Sequence, residues 1–237
     1  MERSLTDIRA NYETICENIA LAASDVGRSA SDITFLAATK TVDAAAINYA
    51  VSLGLRYLGE NRVQELLSKY DAYDLEHASL HFIGHLQTNK VRAIVGKVSM
   101  IQSVDSFRLA REISLRSQSL GIVTDILCEV NIGGEESKSG VLPERTEELL
   151  FEVHTLPGIR VRGLMAIPPI CQNAQENCKF FDKMRNIFLD ISSKNIDNIS
   201  MDFLSMGMSD DYTEAIKCGA NMIRVGSALF GARHYNI

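Results

Sequence analysis

Proline and linker-like sequence are scarce in this chain. The sequence has four prolines in 237 residues, and no Ser/Gly/Pro-rich stretch divides it. Segments between domains are usually rich in such residues, and a chain of this length can form one large domain. The sequence therefore predicts a single domain over residues 1–237.

Cysteine is sparse, and no long apolar run is present. The odd number of cysteines and the lack of any Cys-x-x-Cys pair favour free thiols in a reducing compartment. Charges interrupt the N-terminal segment too early for a signal peptide, and no apolar run approaches the roughly 20 residues of a membrane span. We therefore expect a cytoplasmic protein with five free cysteines: Cys16, Cys128, Cys171, Cys178 and Cys218.

Basic residues are outnumbered by acidic ones. The chain has 24 Lys and Arg against 30 Asp and Glu, which gives a net charge of −6 and a pI of about 5.4. Proteins that read nucleic acid usually carry a basic face, and an acidic protein is not attracted to anionic lipid. The composition therefore predicts that neither nucleic acid nor membrane is a partner.

Apolar runs with strand character alternate with segments of helical periodicity. The strand-like runs are 33–38, 57–59, 81–84, 100–104, 123–130, 161–167, 199–204 and 222–225. The helical segments are 44–53, 62–70, 88–95, 107–120, 144–155, 175–193 and 212–218, with a leading helix at 5–23. Asp43 is the expected N-cap of the segment that follows it. Such alternation predicts parallel strands joined by helical crossovers.

Two architectures fit this alternation: a closed barrel and an open doubly wound sheet. The sequence contains neither GxGxxG nor GxxxxGK[ST] after a strand, as an open nucleotide-binding sheet would. Eight strands in 237 residues favour the barrel. The predicted fold is a single (β/α)8 TIM barrel with an extra N-terminal helix.

Lys40 follows the first predicted strand directly, in FLAATK. Chemistry in such barrels takes place at the carboxyl ends of the strands, so the amine is placed at the barrel mouth. A lysine held away from bulk water is a usable nucleophile toward carbonyl compounds. The alternative is a side chain that extends back to solvent, and Lys138, in a later loop, is the competing candidate.

Small residues follow the seventh and eighth predicted strands, in SMGMSDD and RVGSALFG. Their glycines permit close approach of backbone to a ligand, and their serines supply hydroxyl groups. A helix that starts near Asp210 would add free N–H groups. Barrel phosphate sites recur at this position, so these segments predict a phosphate site; the alternative is that the glycines only serve turns.

Arg224 and a histidine pair are further candidates. Arg224 lies inside the apolar run MIRVG, where it needs a partner; it is either a member of a structural ion pair or a donor to a ligand at the barrel centre. His81 and His85 flank a strand and a glycine in HFIGH, so their spacing does not place them on one helical face. We expect no metal site, because a third ligand is lacking nearby.

Eight segments, in order along the chain, resemble the pyridoxal phosphate homeostasis protein family. They are FLAATKT, YLGENRVQE, HFIGHLQTNK, IQSVDS, EVNIGGEESKSGV, GLMAIPP, LSMGMSDDYTEAI and IRVGSALFGAR. The resemblance runs from about residue 30 to residue 233. That family is similar in turn to the N-terminal barrel domain of alanine racemase.

The resemblance implies pyridoxal 5′-phosphate as the cofactor and assigns its contacts. Lys40 matches the lysine that forms the Schiff base, and Arg224 matches the arginine that faces the pyridine nitrogen. Two hydroxyl-conserving departures occur, threonine before Lys40 and serine after Gly226. The phosphate cup matches Ser205, Ser209, Gly226 and Ser227, and the cofactor mouth matches Asn61 and His85.

The resemblance also implies a protein that carries and regulates the cofactor without catalysing turnover. Racemases of this fold need a second acid or base from another domain, and we expect none here, because the sequence stops shortly after the eighth strand. An arginine beside the ring nitrogen makes the cofactor a weaker electron sink. The alternatives are an amino-acid racemase and an unrelated barrel enzyme with an aldolase-type lysine. The expected partners are the cofactor and, transiently, apo-enzymes that receive it, and we expect a monomer.

Overall fold

The architecture is a closed barrel, seen in a computed structural model that describes residues 4–169, 171 and 174–231. The strands are β1 Thr34–Ala38, β2 Tyr57–Glu60, β3 Ser79–Phe82, β4 Met100–Val104, β5 Thr124–Val130, β6 Ile159–Ala166, β7 Ile199–Ser205 and β8 Met222–Val225. Within these residues the eight strands pair in parallel and in chain order, and β8 pairs with β1. The predicted TIM barrel is confirmed, and the open sheet is excluded.

The helices lie around the barrel; α1 to α8 correspond to the predicted segments, whereas the short α9 is not predicted. They are α1 Leu5–Ser24, α2 Ala44–Ser52, α3 Val63–Lys69, α4 Val91–Ile94, α5 Phe107–Leu120, α6 Thr146–Val153, α7 Ala174–Ser193, α8 Tyr212–Lys217 and α9 Ser227–Phe230. The Asp43 side chain caps α2 by accepting from Ala46 N at 2.8 Å, as predicted. Short 3₁₀ turns at Thr88–Lys90 and Pro143–Arg145 replace the first residues of the helices predicted at 88–95 and 144–155.

Strand β3 begins two residues before its predicted start. The prediction followed the apolar run at 81–84, but Ser79 and Leu80 already pair with Tyr57 and Leu58 of β2. Gly84, predicted as the strand end, lies instead in the following loop against the backbone of Asn61. Strand pairing, which apolar periodicity does not report, sets this boundary.

The leading helix α1 packs against the last helices of the described chain. It packs against α2, α8 and α9. Asn11 Nδ2 donates to the Leu229 carbonyl at 3.0 Å, and Asn18 Nδ2 donates to the Tyr212 hydroxyl at 2.9 Å. The segments around β7 and β8 are therefore held from outside the barrel as well as from within.

The core has a large outer part and a small inner part. Most buried apolar side chains lie between the strands and the helices. Inside the barrel, Met100, Leu127 and Met165 form a separate apolar cluster. Gln102 follows Met100 by two residues on β4, and Glu129 follows Leu127 by two residues on β5. Both are buried and begin a polar layer nearer the carboxyl ends of the strands. The barrel interior is thus apolar below and polar toward its mouth.

Residues 1–3, 170, 172–173 and 232–237 lie outside the described part, including Arg233 at the end of the last family motif. The single domain expected over residues 1–237 stays a prediction. Over the described range, no helix combines the length and the apolar character needed to cross a membrane.

Candidate functional site

A cavity of about 160 Å³ opens at the carboxyl ends of β1 and β8. Five of the eight predicted cofactor contacts line it: Lys40, Ser209, Arg224, Gly226 and Ser227. Residues separated by almost the whole chain meet here because β8 pairs with β1 and closes the barrel. The remaining lining residues are Ala38, Thr41, Val42, Met208, Asp210, Phe230 and Gly231.

Lys40 lies in a tight turn that leaves β1. The turn is held where Thr39 N donates to the Gly59 carbonyl at 2.9 Å and Val42 N donates to the Thr39 carbonyl at 3.1 Å. Lys40 is partly buried, and the next residue, Thr41, has a φ of +62°. A β-branched residue rarely adopts this conformation, so the surrounding structure fixes the turn that presents the amine.

Arg224 projects from β8 into the polar interior and is 4% exposed. Its Nη1 donates to Ser205 Oγ at 2.7 Å, and its Nη2 donates to the Ala166 carbonyl at 2.9 Å. Burial lowers the pKa of the guanidinium to about 10, and the charges of Glu129 and Asp211 act in the opposite direction. A cation with a fixed orientation therefore stands at the wall of the cavity.

Ser205 lies beneath this arginine and is absent from the cavity lining, unlike the other serines assigned to the phosphate cup. Its buried hydroxyl accepts from Arg224 and donates to Gln102 Oε1 at 2.8 Å. Gln102 Nε2 in turn lies 2.9 Å from His81 Nδ1, so the direction of the chain makes Nδ1 an acceptor. Burial lowers the pKa of His81 to about 4, and the ring is therefore neutral near pH 7.

The segment after β7 folds over the start of α9. Ser209 Oγ accepts from Gly226 N at 3.1 Å and from Ala228 N at 3.2 Å. Gly207 has a φ of +91°, and a Cβ there would lie 2.5 Å from the Ala215 Cβ. Glycine is therefore required at this turn. Helix α8 begins at Tyr212, the predicted first residue of the 212–218 segment and close to Asp210.

Asn61 and His85 do not line this cavity. Asn61 is half-buried, and its buried Oδ1 has no hydrogen-bond partner among the described residues. The His85 side chain is 58% exposed, and its Nδ1 lies 3.0 Å from Ser139 Oγ. The competing lysine, Lys138, is also outside the lining: its Nζ pairs with Glu135 Oε2 at 2.5 Å.

Two buried carboxyl groups near Arg224, those of Glu129 and Asp211, are not predicted from the sequence. Burial, with a smaller contribution from Asp105, raises the pKa of Glu129 to about 7, whereas Arg224 lowers it. Burial also raises the pKa of Asp211, which accepts from Met208 N at 2.6 Å. The signal that singled out Arg224, a charged residue inside an apolar strand, is present for Glu129 in TDILCEV.

His81 lies in the barrel interior, whereas His85 lies in an exposed loop. Across residues 4–169, 171 and 174–231, no group of three or more His, Cys, Asp or Glu side chains is arranged to hold a metal ion.

Known proteins resemble this chain along almost its whole length. The family model described as alanine racemase, N-terminal domain, matches residues 10–234. A protein of Aquifex aeolicus named pyridoxal phosphate homeostasis protein is 43% identical over 221 residues, which are 93% of this chain and 96% of that protein. The chain belongs to the pyridoxal phosphate homeostasis protein family.

Solved structures agree with membership of this family. PipY of Synechococcus elongatus, solved with PLP bound, is 32% identical and superposes with a TM-score of 0.79 over 92% of this chain and 100% of that chain. Alanine racemase of Corynebacterium glutamicum is 12% identical, with a TM-score of 0.70 over 99% of this chain and 63% of that chain. The likeness to the racemase extends to the fold alone.

Proposed function

We propose that this chain binds pyridoxal 5′-phosphate in the cavity at the ends of β1 and β8, with Lys40 as the attachment residue. The observation that carries the proposal is the convergence of Lys40, Arg224 and the Ser209/Gly226 pair on one cavity. The bound cofactor in PipY, at 32% identity over 92% of this chain, supports it.

The donor set fits the cofactor chemically. Lys40 offers an amine to an aldehyde, and the hydroxyls of Ser209 and Ser227 offer hydrogen bonds to phosphate. A Cβ at Gly226 would lie 3.2 Å from the Ala38 carbonyl, so only glycine keeps this side of the cavity open without a shift. When bound, the cofactor supplies an aldehyde that condenses with an amine, with loss of water.

Two serines hold the binding groups in place, and one of them, Ser209, also lines the cavity. Ser209 fixes the backbone at Gly226 and Ala228. Ser205, assigned by resemblance to the phosphate cup, is better suited to orienting Arg224, because its hydroxyl is already shared between Arg224 and Gln102. We retain Asn61 and His85 as contacts at the cofactor mouth only as predictions, because neither lines the cavity.

We further propose that the protein carries the cofactor and does not catalyse turnover with it. The name of the Aquifex aeolicus relative, a homeostasis protein, supports this role. A guanidinium such as that of Arg224 cannot take a proton from a ring nitrogen near pH 7, and its positive charge opposes protonation of that nitrogen. Carbanion chemistry, the basis of the racemase alternative, is thereby disfavoured.

The proposed setting is a monomer in the cytoplasm, with small molecules and recipient apo-enzymes as partners and neither nucleic acid nor membrane. All five cysteines are free in the described structure, which supports a reducing compartment. The net charge of −6 supports the absence of polyanionic partners.

Transfer without turnover tests the carrier proposal. Protein loaded with pyridoxal 5′-phosphate, then freed of excess cofactor, should restore activity to an apo-enzyme that depends on it. An amino-acid panel should show no racemase, decarboxylase or transaminase activity within the usual enzyme range of about 1–10³ s⁻¹. Turnover in that range, lost in Lys40→Ala, would establish the enzyme instead.

Arg224→Gln should change the spectrum of the bound cofactor. The amide keeps a donor for Ser205 or Ala166 but removes the positive charge, so the pKa of the ring nitrogen should rise. The pH midpoint of the bound cofactor's absorbance should move upward by about one unit or more. Arg160→Gln, outside the barrel and paired with Asp125, is the matched control. An unchanged midpoint in Arg224→Gln would show that Arg224 does not face the ring.

A further inference from the structure

A second lysine lies directly behind the turn that carries Lys40. Lys69 is the last residue of α3. Its Nζ forms salt bridges with Glu60 Oε1 at 2.5 Å and with Glu65 Oε1 at 3.0 Å. The same Nζ donates to the carbonyls of Thr39 and Val42, each at 3.1 Å. These two carbonyls flank Lys40 and Thr41 in the chain, so one ammonium group ties both ends of the turn to α3.

Glu60 completes this arrangement from β2. It is fully buried, and its Oε1 accepts from the Thr39 hydroxyl at 2.8 Å and from the Tyr73 hydroxyl at 2.6 Å. A buried carboxylate needs a cation or several donors nearby, and Lys69 is the cation at hydrogen-bond distance. The Lys69 side chain is only 13% exposed, so the pair is largely shielded from water.

Glu65 acts on the turn itself. Its Oε1 accepts from the backbone N–H of Thr41, the residue with the positive φ. A threonine in this conformation persists only where its surroundings impose it. The Glu65 carboxylate, held by Lys69, is the group that meets the Thr41 N–H and stabilises this conformation.

The three charged side chains are not part of the cavity surface. Lys69, Glu60 and Glu65 are absent from its lining, whereas Lys40 and Thr41 are part of it. The Thr39 hydroxyl meets the Glu60 carboxylate where Glu60 pairs with Lys69 of α3, whereas Lys40 lines the cavity. The group contacts the segment that carries the cofactor amine through the backbone of Thr39, Thr41 and Val42.

We propose that Lys69 is a positioning residue for Lys40. With Glu60 and Glu65 it forms a cage, named here the turn cage, that fixes the 39–42 turn so that the Lys40 amine meets the cofactor aldehyde. The inference rests on the proposed function. Adduct formation adds the Lys40 nitrogen to the aldehyde carbon and releases the carbonyl oxygen as water. Displacement of a reacting group by about 1 Å can slow such a reaction by about 100-fold.

The experiment separates positioning from binding. Adduct formation with pyridoxal 5′-phosphate is followed by absorbance and confirmed by borohydride reduction. Binding of pyridoxine 5′-phosphate, which has the phosphate and ring but no aldehyde, is measured separately. The variants are Lys69→Met, the double variant Lys69→Met/Glu60→Gln, which leaves no unpaired buried charge, and Glu65→Ala with its conservative partner Glu65→Gln. Lys194→Met, which removes another lysine held by two carboxylates, is the control.

We expect adduct formation to slow by about 10-fold or more in both Lys69 variants and in Glu65→Ala, consistent with a misplaced amine. Pyridoxine 5′-phosphate should bind as in the parent protein, and Glu65→Gln, which keeps an oxygen acceptor for Thr41 N–H, should recover most of the lost rate. Lys194→Met should change neither measurement. If Lys69→Met does not fold, the double variant and Glu65→Ala still test whether the turn cage positions the Lys40 amine.

Two results would overturn the inference. One is an unchanged adduct rate in the folded variants, and the other is an equal loss of adduct rate and pyridoxine 5′-phosphate binding, which would make the turn cage a support of the fold only. A parent protein that forms no adduct on Lys40 would instead refute the proposed function, so the two failures are distinguishable.

Discussion

Lys40→Ala should abolish the borohydride-stable adduct with pyridoxal 5′-phosphate. Lys40 is the lysine that lines the cavity in the described structure, and it shares that lining with Arg224 and Ser209. A covalent link to the aldehyde requires an amine at this position. Some cofactor should still bind without a covalent bond, since the proposed phosphate contacts remain. Reduction, digestion and mass spectrometry should locate the adduct on the Lys40 peptide of the parent protein.

Lys138→Ala is the matched control for this experiment. Lys138 was the competing candidate in the sequence, but its amine pairs with Glu135 and donates to the Pro168 carbonyl at 3.3 Å. The variant should form the adduct at the parent level. An adduct that persists in Lys40→Ala and disappears in Lys138→Ala would move the attachment site to Lys138.

Removal of the phosphate from the ligand should weaken binding by at least about 100-fold. A hydrogen bond to a charged group contributes about 1.5–3 kcal/mol, so two such bonds account for this factor. Ser209 and Ser227 supply hydroxyls at the cavity wall, and Gly226 leaves the wall open. Spectral titrations should therefore give a much lower dissociation constant for pyridoxal 5′-phosphate than for pyridoxal.

The Ser209→Ala variant tests whether the Ser209 hydroxyl contributes to the preference for the phosphate ester. The variant loses one hydroxyl and the two hydrogen bonds that order Gly226 and Ala228, so binding of the phosphate ester should weaken by about 10-fold, the equivalent of one hydrogen bond. Binding of pyridoxal should hardly change. Ser119→Ala, on an exposed serine at the end of α5, should leave both affinities as they are. Equal affinities for the two vitamers in the parent protein would refute the phosphate site.

The charged and polar groups of the barrel interior determine the position and the charge of Arg224 at the cavity. The charge of Arg224 interacts with two carboxyl groups whose pKa values are raised by burial, Glu129 to about 7 and Asp211 in the same direction. The neutral chain from Ser205 through Gln102 to His81 holds the arginine without adding charge. Arg224 therefore presents a positive charge in a fixed orientation at the cavity wall, which supports the carrier proposal.

Local sequence patterns were sufficient for the element order. Period and length identified the strands and most helices because each element buries one face or a continuous apolar run, and the Asp43 cap marks the start of α2. The positions of Lys40 and Arg224 relative to β1 and β8 also follow from the sequence, since each is adjacent to or within an apolar run.

Contacts between distant segments were beyond such patterns. Ser205 and Ser209 are equivalent in the motif SMGMS, yet one hydroxyl binds Arg224 inside the barrel and the other binds backbone at the cavity. Glu60 and Glu65 look like ordinary acidic residues in YLGENRVQE. The Glu65–Lys69 pair forms within α3 at i,i+4 spacing, but only the packing of α3 against β2 and the 39–42 turn brings Lys69 to Glu60 and Glu65 to the Thr41 N–H.

The sequence by itself determined the alternation of strands and helices, the candidate lysine, and, through family motifs, the expected cofactor. The tertiary structure decided which predicted residues share a cavity, because barrel closure sets β8 beside β1 and leaves Asn61 and His85 outside its lining. It also decided which charges are paired. Burial and hydrogen bonding depend on the groups that surround a side chain in space. For Lys40 and Arg224 those groups come from strands and loops far apart in the chain.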